Sequence, residues 1–279
     1  MGSVCVEVAV RDDPRLLAAL ASLRAQRRRP DRVLVAASTD SPSPLLEAAA
    51  RENASLPLDV ARFPGGVVDA RAASLDRIRE DTTVFLDSDE TAPPEWLERI
   101  VAPIEAGTAV FAGGPTRPSR PPESSIERYD VELERSIYQD LVPSRVTYLP
   151  LQNTAWRTTA LKELGFDPRI PFAEDHDLET RAARAGLAGV FVPEAEVVHD
   201  HSVPPSFGRW ARKRYRYLVA MAMSLLKNGE LGARVGERRR SVPHRLRYVE
   251  ALLKPVALVD ASLRWRRVRR RPAGPTARA

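Results

Sequence analysis

Sulfur chemistry is almost absent from this 279-residue chain: Cys5 is its single cysteine. That excludes an intramolecular disulfide framework and any zinc site built from a cysteine cluster. Long apolar runs are missing as well. The best candidate, Tyr217 to Leu226, is about half the ~20 residues needed to cross a bilayer. Near the N-terminus, Glu7 and Arg11 interrupt the first apolar stretch, so no signal peptide is expected. These absences predict a cytosolic chain without a transmembrane anchor.

What is present can build a core. The chain is 43% hydrophobic and 29% charged, which excludes disorder along its whole length. Its net charge of +6 hides an asymmetry. From Arg209 onward there are 20 basic and 4 acidic residues, whereas the first 208 residues carry a balance of −10. An acidic body precedes a basic tail.

The first two-thirds alternate short apolar runs with amphipathic stretches, the pattern of an α/β domain with a mostly parallel sheet flanked by helices. Strands are predicted at residues 4–10, 32–36, 58–63, 83–86, 109–112, 146–149, 190–192 and 197–199. Helices are predicted from Asp13-Pro14 to Gln26, from Ser43-Pro44 to about Ala54, and at 69–79, 94–104, 126–139, 158–164 and 174–185. Gly165 and Gly186 end the last two. Thr116 to Pro122 reads as a surface loop. After position 205, Ala211, Tyr215, Leu218, Ala222 and Leu225 recur at helical spacing up to Asn228-Gly229. A second helical segment, His244 to Leu263, is expected to break at Pro255. The basic run Arg264–Arg271 follows, with a frayed end from Pro272. The division expected is a body over 1–205 and a basic helical segment over 206–279.

Three clusters carry chemistry. Asp87 and Asp89 leave the fourth strand two residues apart, so they project to one side and can present oxygens to one hard cation. The carboxyl end of a buried parallel strand is where open α/β sheets bind ligands. Glu174-Asp175-His176-Asp177 opens a helix, whose dipole favours negative charge and helps keep Asp175 ionised, as a general base must be. Positions 175 and 177 lie about 200° apart around a helix, so Asp177 is expected to be structural. Last come His199 and His201, two of only four histidines, alternating to one side of a strand end. Imidazole beside carboxylate suits Mn²⁺ or a similar ion.

In order, Val4–Arg11, Ala21–Gln26, Val33–Asp40, Ala70–Ala73, Phe85–Glu90, Asn153, Trp156-Arg157, Leu164–Asp167, Glu174–Leu178, Arg184–Gly186 and Val192–Ala195 followed by His199 resemble a family 2 glycosyltransferase of GT-A fold. The resemblance covers about residues 4–205. It implies a nucleotide-sugar donor (a UDP- or GDP-sugar), a divalent Mn²⁺ or Mg²⁺ ion, and transfer to a saccharide or lipid-linked acceptor. It also implies Asp89 as direct metal ligand, Asp87 nearer the ribose or the metal, and His199 as a further ligand. Arg71, Arg11 and Asp40 would meet the nucleotide, with Arg71 near its ribose-diphosphate part. Asp175 would be the catalytic base, and Glu174, Asn153, Trp156 and His201 would surround the acceptor or support the site. The sequence departs from the family at Val35, Ala36 and Ala37, where acids often read base and ribose. Ala72 and Ser74 stand where Asn and Gly commonly follow the arginine.

Two other readings compete. A sugar nucleotidyltransferase usually carries a glycine-rich phosphate loop near the first strand, and Arg11-Asp12-Asp13-Pro14 is not one. Phe63-Pro64-Gly65-Gly66 lies too far along and lacks the Lys-Ser/Thr of a P-loop. The second is an inactive scaffold whose basic tail binds nucleic acid or a membrane. The broad apolar stripe of 207–228 fits an anionic membrane surface better than nucleic acid, and simple packing of the tail on the body stays open.

Overall fold

The structure, a computed structural model that describes residues 1–138, 141, 146, 149–187, 189–201, 206–229 and 244–270, contains two sheets. The larger has seven strands in the order β3 (Leu58–Phe63), β2 (Arg32–Ser38), β1 (Val4–Val10), β4 (Thr82–Leu86), β8 (Asn153–Arg157), β6 (Phe111–Gly113) and β9 (Gly189–Phe191). From β3 to β4 the pairings are parallel; β8 runs antiparallel to both its neighbours, and β6 and β9 are parallel again. This is the mixed α/β, mostly parallel architecture that the sequence predicts.

Every residue of β1 is buried because helices cover both faces of the sheet. Val4, Val6, Val8 and Val10 face a core shared with α1 (Leu16–Arg24), α2 (Pro44–Glu52) and α4 (Trp96–Glu105). Cys5 faces the opposite core, which holds residues of α3 (Val67–Ser74), α6 (Thr158–Leu164) and α7 (Glu174–Arg184). Alternation along an extended chain divides one apolar run between two cores.

A second sheet of three short strands orders β5 (Glu90–Thr91), β10 (Val197–His199) and β7 (Thr116–Pro118). Residues 116–118 were expected in a surface loop; pairing with β10 makes them a strand instead. In the predicted strand at 146–149, Val146 makes one isolated bridge to Gly189, and 147–148 lie outside the described residues. The strand that does cross this region, β8, went unpredicted because only Ala155 and Trp156 in it are apolar. Its Asn153 is buried on side-chain bonds. Trp96 Nε1 donates to Asn153 Oδ1 at 2.8 Å, and Asn153 Nδ2 donates to the carbonyls of Ala195 (2.8 Å) and Pro115 (3.1 Å). Gly114 lets the chain pass here, since a Cβ at that position would lie 2.0 Å from the Ala195 oxygen.

The basic segment forms α8 (Phe207–Lys227) and α9 (Leu246–Val268), which pack together through Val219, Ala220, Met223, Ala257 and Ala261. α8 is fastened to the body: Lys227 Nζ lies 2.8 Å from both Asp167 and Asp177, and the His176 ring is 3.0 Å from Ser224 Oγ. Pro255 does not break α9. It lies on the exposed side, where water can serve the carbonyl whose partner N–H proline lacks. The expected fraying from Pro272 falls outside the described residues.

Glu7 is the one acid inside β1. Its Oε2 accepts from Ser74 Oγ at 3.0 Å, and burial raises its carboxyl from the ordinary 4.5 to about 7 despite Arg71 and Ser74. The native state therefore keeps this proton to higher pH than the unfolded chain, so stability falls as pH rises from about 4.5 through about 7. Glu7→Gln is expected to remove that fall: between about pH 5 and pH 8 its urea-unfolding free energy should gain about 3 kcal/mol on wild type. Parallel pH profiles would show that Glu7 is ionised in the folded chain.

Candidate active site

The site begins where β4 ends. Asp87 Oδ1 accepts from Arg71 Nη2 at 2.5 Å, and the other terminal nitrogen of Arg71 donates to Glu174 Oε1 at 2.8 Å. Arg71 is buried between them, its guanidinium held positive by both carboxylates against the cost of burial. The resemblance implies that this arginine lies near the ribose-diphosphate part of the donor; in the structure its terminal nitrogens bridge the two carboxylates. Burial raises the Asp87 carboxyl, with Arg71 opposing.

Asp89 takes different partners. Its Oδ2 lies 3.5 Å from His199 Nε2 and 3.5 Å from Arg15 Nη2. Although burial works to raise it, the bond to His199 and these two charges hold the Asp89 carboxyl below its ordinary value. Asp87 is thus bonded to Arg71 through Oδ1, while Asp89 faces an imidazole.

His199 reaches Asp89 through the small sheet. β5 follows Asp89 directly, β10 pairs with it antiparallel, and the register sets His199 opposite Glu90. The backbone N–H of Asp200 donates to the Asp89 carbonyl at 2.8 Å. Behind the ring stands Glu134, from α5 (Ser125–Tyr138), a residue the sequence reading missed. Its Oε1 is 3.3 Å from His199 Nδ1 and its Oε2 is 3.0 Å from His201 Nε2. Glu134 also accepts from Thr116 Oγ1 (2.8 Å) and Gln152 Nε2 (2.5 Å). Despite burial, both histidines hold its carboxyl well below the usual range. In turn, bonds to Asp89 and Glu134 outweigh burial and push the His199 imidazole up to about 11.

Among the described residues, Glu134, His199 and His201 form one group whose ligand atoms lie within 4.8 Å of one another. Glu134 already accepts from a hydroxyl and an amide, so it is better suited to orienting the histidines than to ligation. With Nδ1 of His199 directed at Glu134, Nε2 is left towards Asp89. A carboxylate and an imidazole converging this way fit a Mn²⁺-like ion.

Asp175 lies in the first turn of α7 beside Glu174 and Asp177. Its Oδ1 accepts from the backbone N–H of His176 at 2.7 Å. Asp177 points away, to Arg181, Lys227 and Asn228, and ties α7 to α8. Just before the helix, Phe172 adopts a left-handed φ of 67°, a costly conformation for a bulky residue. Its ring is half exposed, with the Arg216 guanidinium 4.3 Å from its centre.

Arg11 and Asp40 come together beyond the carboxyl ends of β1 and β2. They line a cavity of about 810 Å³ with Ser38, Leu45 and Gly65. Ala37 also lines this cavity, while Val35 and Ala36 are buried in β2, so none of the three supplies an acid to it. Two residues expected to surround the acceptor or support the site, Trp156 and Asn153, are buried. Trp156 is fully buried and stacked on Phe111, with ring centres 4.4 Å apart, because the strand β8 turns it into the core. Asn153 spends its amide on Trp96, Pro115 and Ala195.

Comparison with known proteins agrees with this fold. The structure is similar to the mannosyltransferase PcManGT from Pyrobaculum calidifontis, solved with GDP-Man and Mn²⁺ (TM-score 0.62, 19% identity, covering 99% of this chain and 77% of that one). It is also similar to residues 1–349 of S. aureus TarS in complex with UDP-GlcNAc (TM-score 0.58, 16% identity, covering 94% and 81%). In sequence it is 30% identical over 142 residues to a pre-mycofactocin glycosyltransferase of Mycobacterium tuberculosis. That stretch is 49% of this chain and 30% of the relative, so the chain spans less than a third of the curated protein it matches. The family model for "Glycosyl transferase family group 2" matches residues 82–270, from β4 through the end of α9 and well over half of the chain. On that match, and with the GT-A fold these structures share, the chain belongs to glycosyl transferase family group 2.

Proposed function

We propose that this protein transfers a sugar from a UDP- or GDP-sugar to a saccharide or lipid-linked acceptor by a single, inverting displacement. The observation carrying this reading is the Arg71 bridge. By joining Asp87 at the strand end to Glu174 at the start of α7, it holds the donor side and the Asp175 side of the site together. The cavity lined by Arg11 and Asp40 is the proposed seat of the nucleotide. The donors named for PcManGT and TarS support the substrate class.

Asp89 and His199 would hold a Mn²⁺ or Mg²⁺ ion, which supplies positive charge against the departing diphosphate. Asp175, kept ionised by the helix dipole, takes the proton of the acceptor hydroxyl. As that oxygen bonds to the anomeric carbon, the bond to the diphosphate breaks and the nucleoside diphosphate leaves with the electron pair. One base and one displacement invert the anomeric centre. The basic helical segment is proposed to rest on the cytoplasmic face of a membrane, near a lipid-linked acceptor.

A thermal-shift screen of UDP and GDP with Mn²⁺ is expected to stabilise the protein with one of them beyond either component alone. No shift with any nucleoside diphosphate would remove the donor assignment. Asp175→Asn should keep that shift while losing about 10²–10⁴-fold in turnover, and Asp89→Ala should lose the Mn²⁺-dependent part of the shift. Transfer at wild-type rate by Asp175→Asn would remove the base assignment. Glu134→Gln is expected to weaken Mn²⁺ binding about tenfold by paramagnetic resonance titration, because His199 loses its orienting carboxylate. Unchanged affinity would leave Glu134 a packing residue.

A further inference from the structure

We propose that the outward face of α9 docks on an anionic lipid bilayer. This deepens the membrane part of the preceding reading, and it rests on none of the transfer chemistry. The sequence places the membrane-facing stripe on residues 207–228, but the structure spends much of that stripe on packing. Trp210 is buried against Tyr129, while Val219, Ala222 and Met223 pack with Ala257 and Ala261 of α9.

α9 has a second apolar face that no other element among the described residues covers, although its own Arg247 stacks on Tyr248 with the guanidinium 4.8 Å from the ring centre. Tyr248, Leu252, Val256, Val259 and Leu263 each expose between 50% and 76% of their surface. Their spacings of four, four, three and four residues confine them to about 80° of the helix circumference. A helix apolar on two opposed faces is not one that water alone should surround, and a contiguous exposed stripe marks an interaction site.

The charges around the stripe select the occupant. Both acids of α9 are paired towards α8 or along the helix. Glu250 lies 2.5 Å from Arg214, and Asp260 is 2.8 Å from both the Tyr215 hydroxyl and Arg264. The exposed charges that remain on α9 are basic. Arg245 stands at one end of the stripe, and Arg266, Arg267 and Arg270 at the other. An apolar centre with cations at both ends matches a helix lying in the plane of a bilayer, its stripe among the acyl chains and its guanidinium groups among anionic headgroups. Nucleic acid would satisfy the arginines and leave five large apolar side chains without a partner.

The test is flotation of the full chain with vesicles of equal parts phosphatidylglycerol and phosphatidylcholine, against vesicles of phosphatidylcholine alone. Wild type is expected to float with the first, weakly with the second, and less as salt is raised. Leu252→Asp with Val256→Asp, both at exposed positions, should lower binding about tenfold or more, and Arg266→Glu with Arg267→Glu about tenfold. Each variant is checked for an unchanged nucleotide-induced thermal shift. Equal binding to both vesicles, no binding to either, or undiminished flotation of the Leu252/Val256 variant overturns the proposal. So does a wild-type dimer in sedimentation that this variant breaks, which would assign the stripe to a second copy. Vesicle binding without a nucleotide shift would sink the donor assignment alone, and the reverse pattern would sink only the docking face.

Discussion

Arg71 sits with its guanidinium out of water, between a carboxylate that ends a strand and one that begins a helix. A buried cation needs such pairing, and removing either partner would leave an uncompensated charge. The mutual need fixes α3, β4 and α7 relative to one another. Beneath it, Glu7 contributes a further carboxyl, bonded to Ser74 in the middle of a strand buried along its whole length. The proposed base and the proposed donor end thus belong to one electrostatic unit that starts in the core.

The second part of the site is assembled by very short strands. β5 has two residues and β10 three, yet their pairing carries His199 across more than a hundred residues of sequence to Asp89. Glu134 reaches the same place from α5 and takes Nδ1 of the ring. Two hydrogen-bonding positions of one imidazole therefore meet two acids from different elements. Both acids favour a positive charge on the ring between them.

The two C-terminal helices divide their labour. α8 is fixed to the body by Lys227, Asn228, Ser224 and Trp210. α9 uses its inner face to pack on α8 and leaves its outer face apolar and basic. No helix among the described residues is long and apolar enough to cross a membrane.

Local patterns in the sequence were sufficient for the strands that are buried on both faces and for the helices with a clear apolar stripe. An uninterrupted apolar run such as Val4–Val10 has few other places to go. The acids at 87, 89 and 175 were legible for a related reason: each stands at the end of an element whose boundary the chain itself announces. β8 was hidden because its burial rests on the amide of Asn153, whose partners lie 38 to 57 residues away. The burial of Trp156 against Phe111 was not legible, because aromatic character does not reveal which side of a sheet a residue faces. The true partners of Arg71, and Glu134 behind His199, depend on contacts between distant segments that no local period encodes. Tertiary structure alone decided them, because pairing a buried charge is a property of the folded interior and not of the chain beside it.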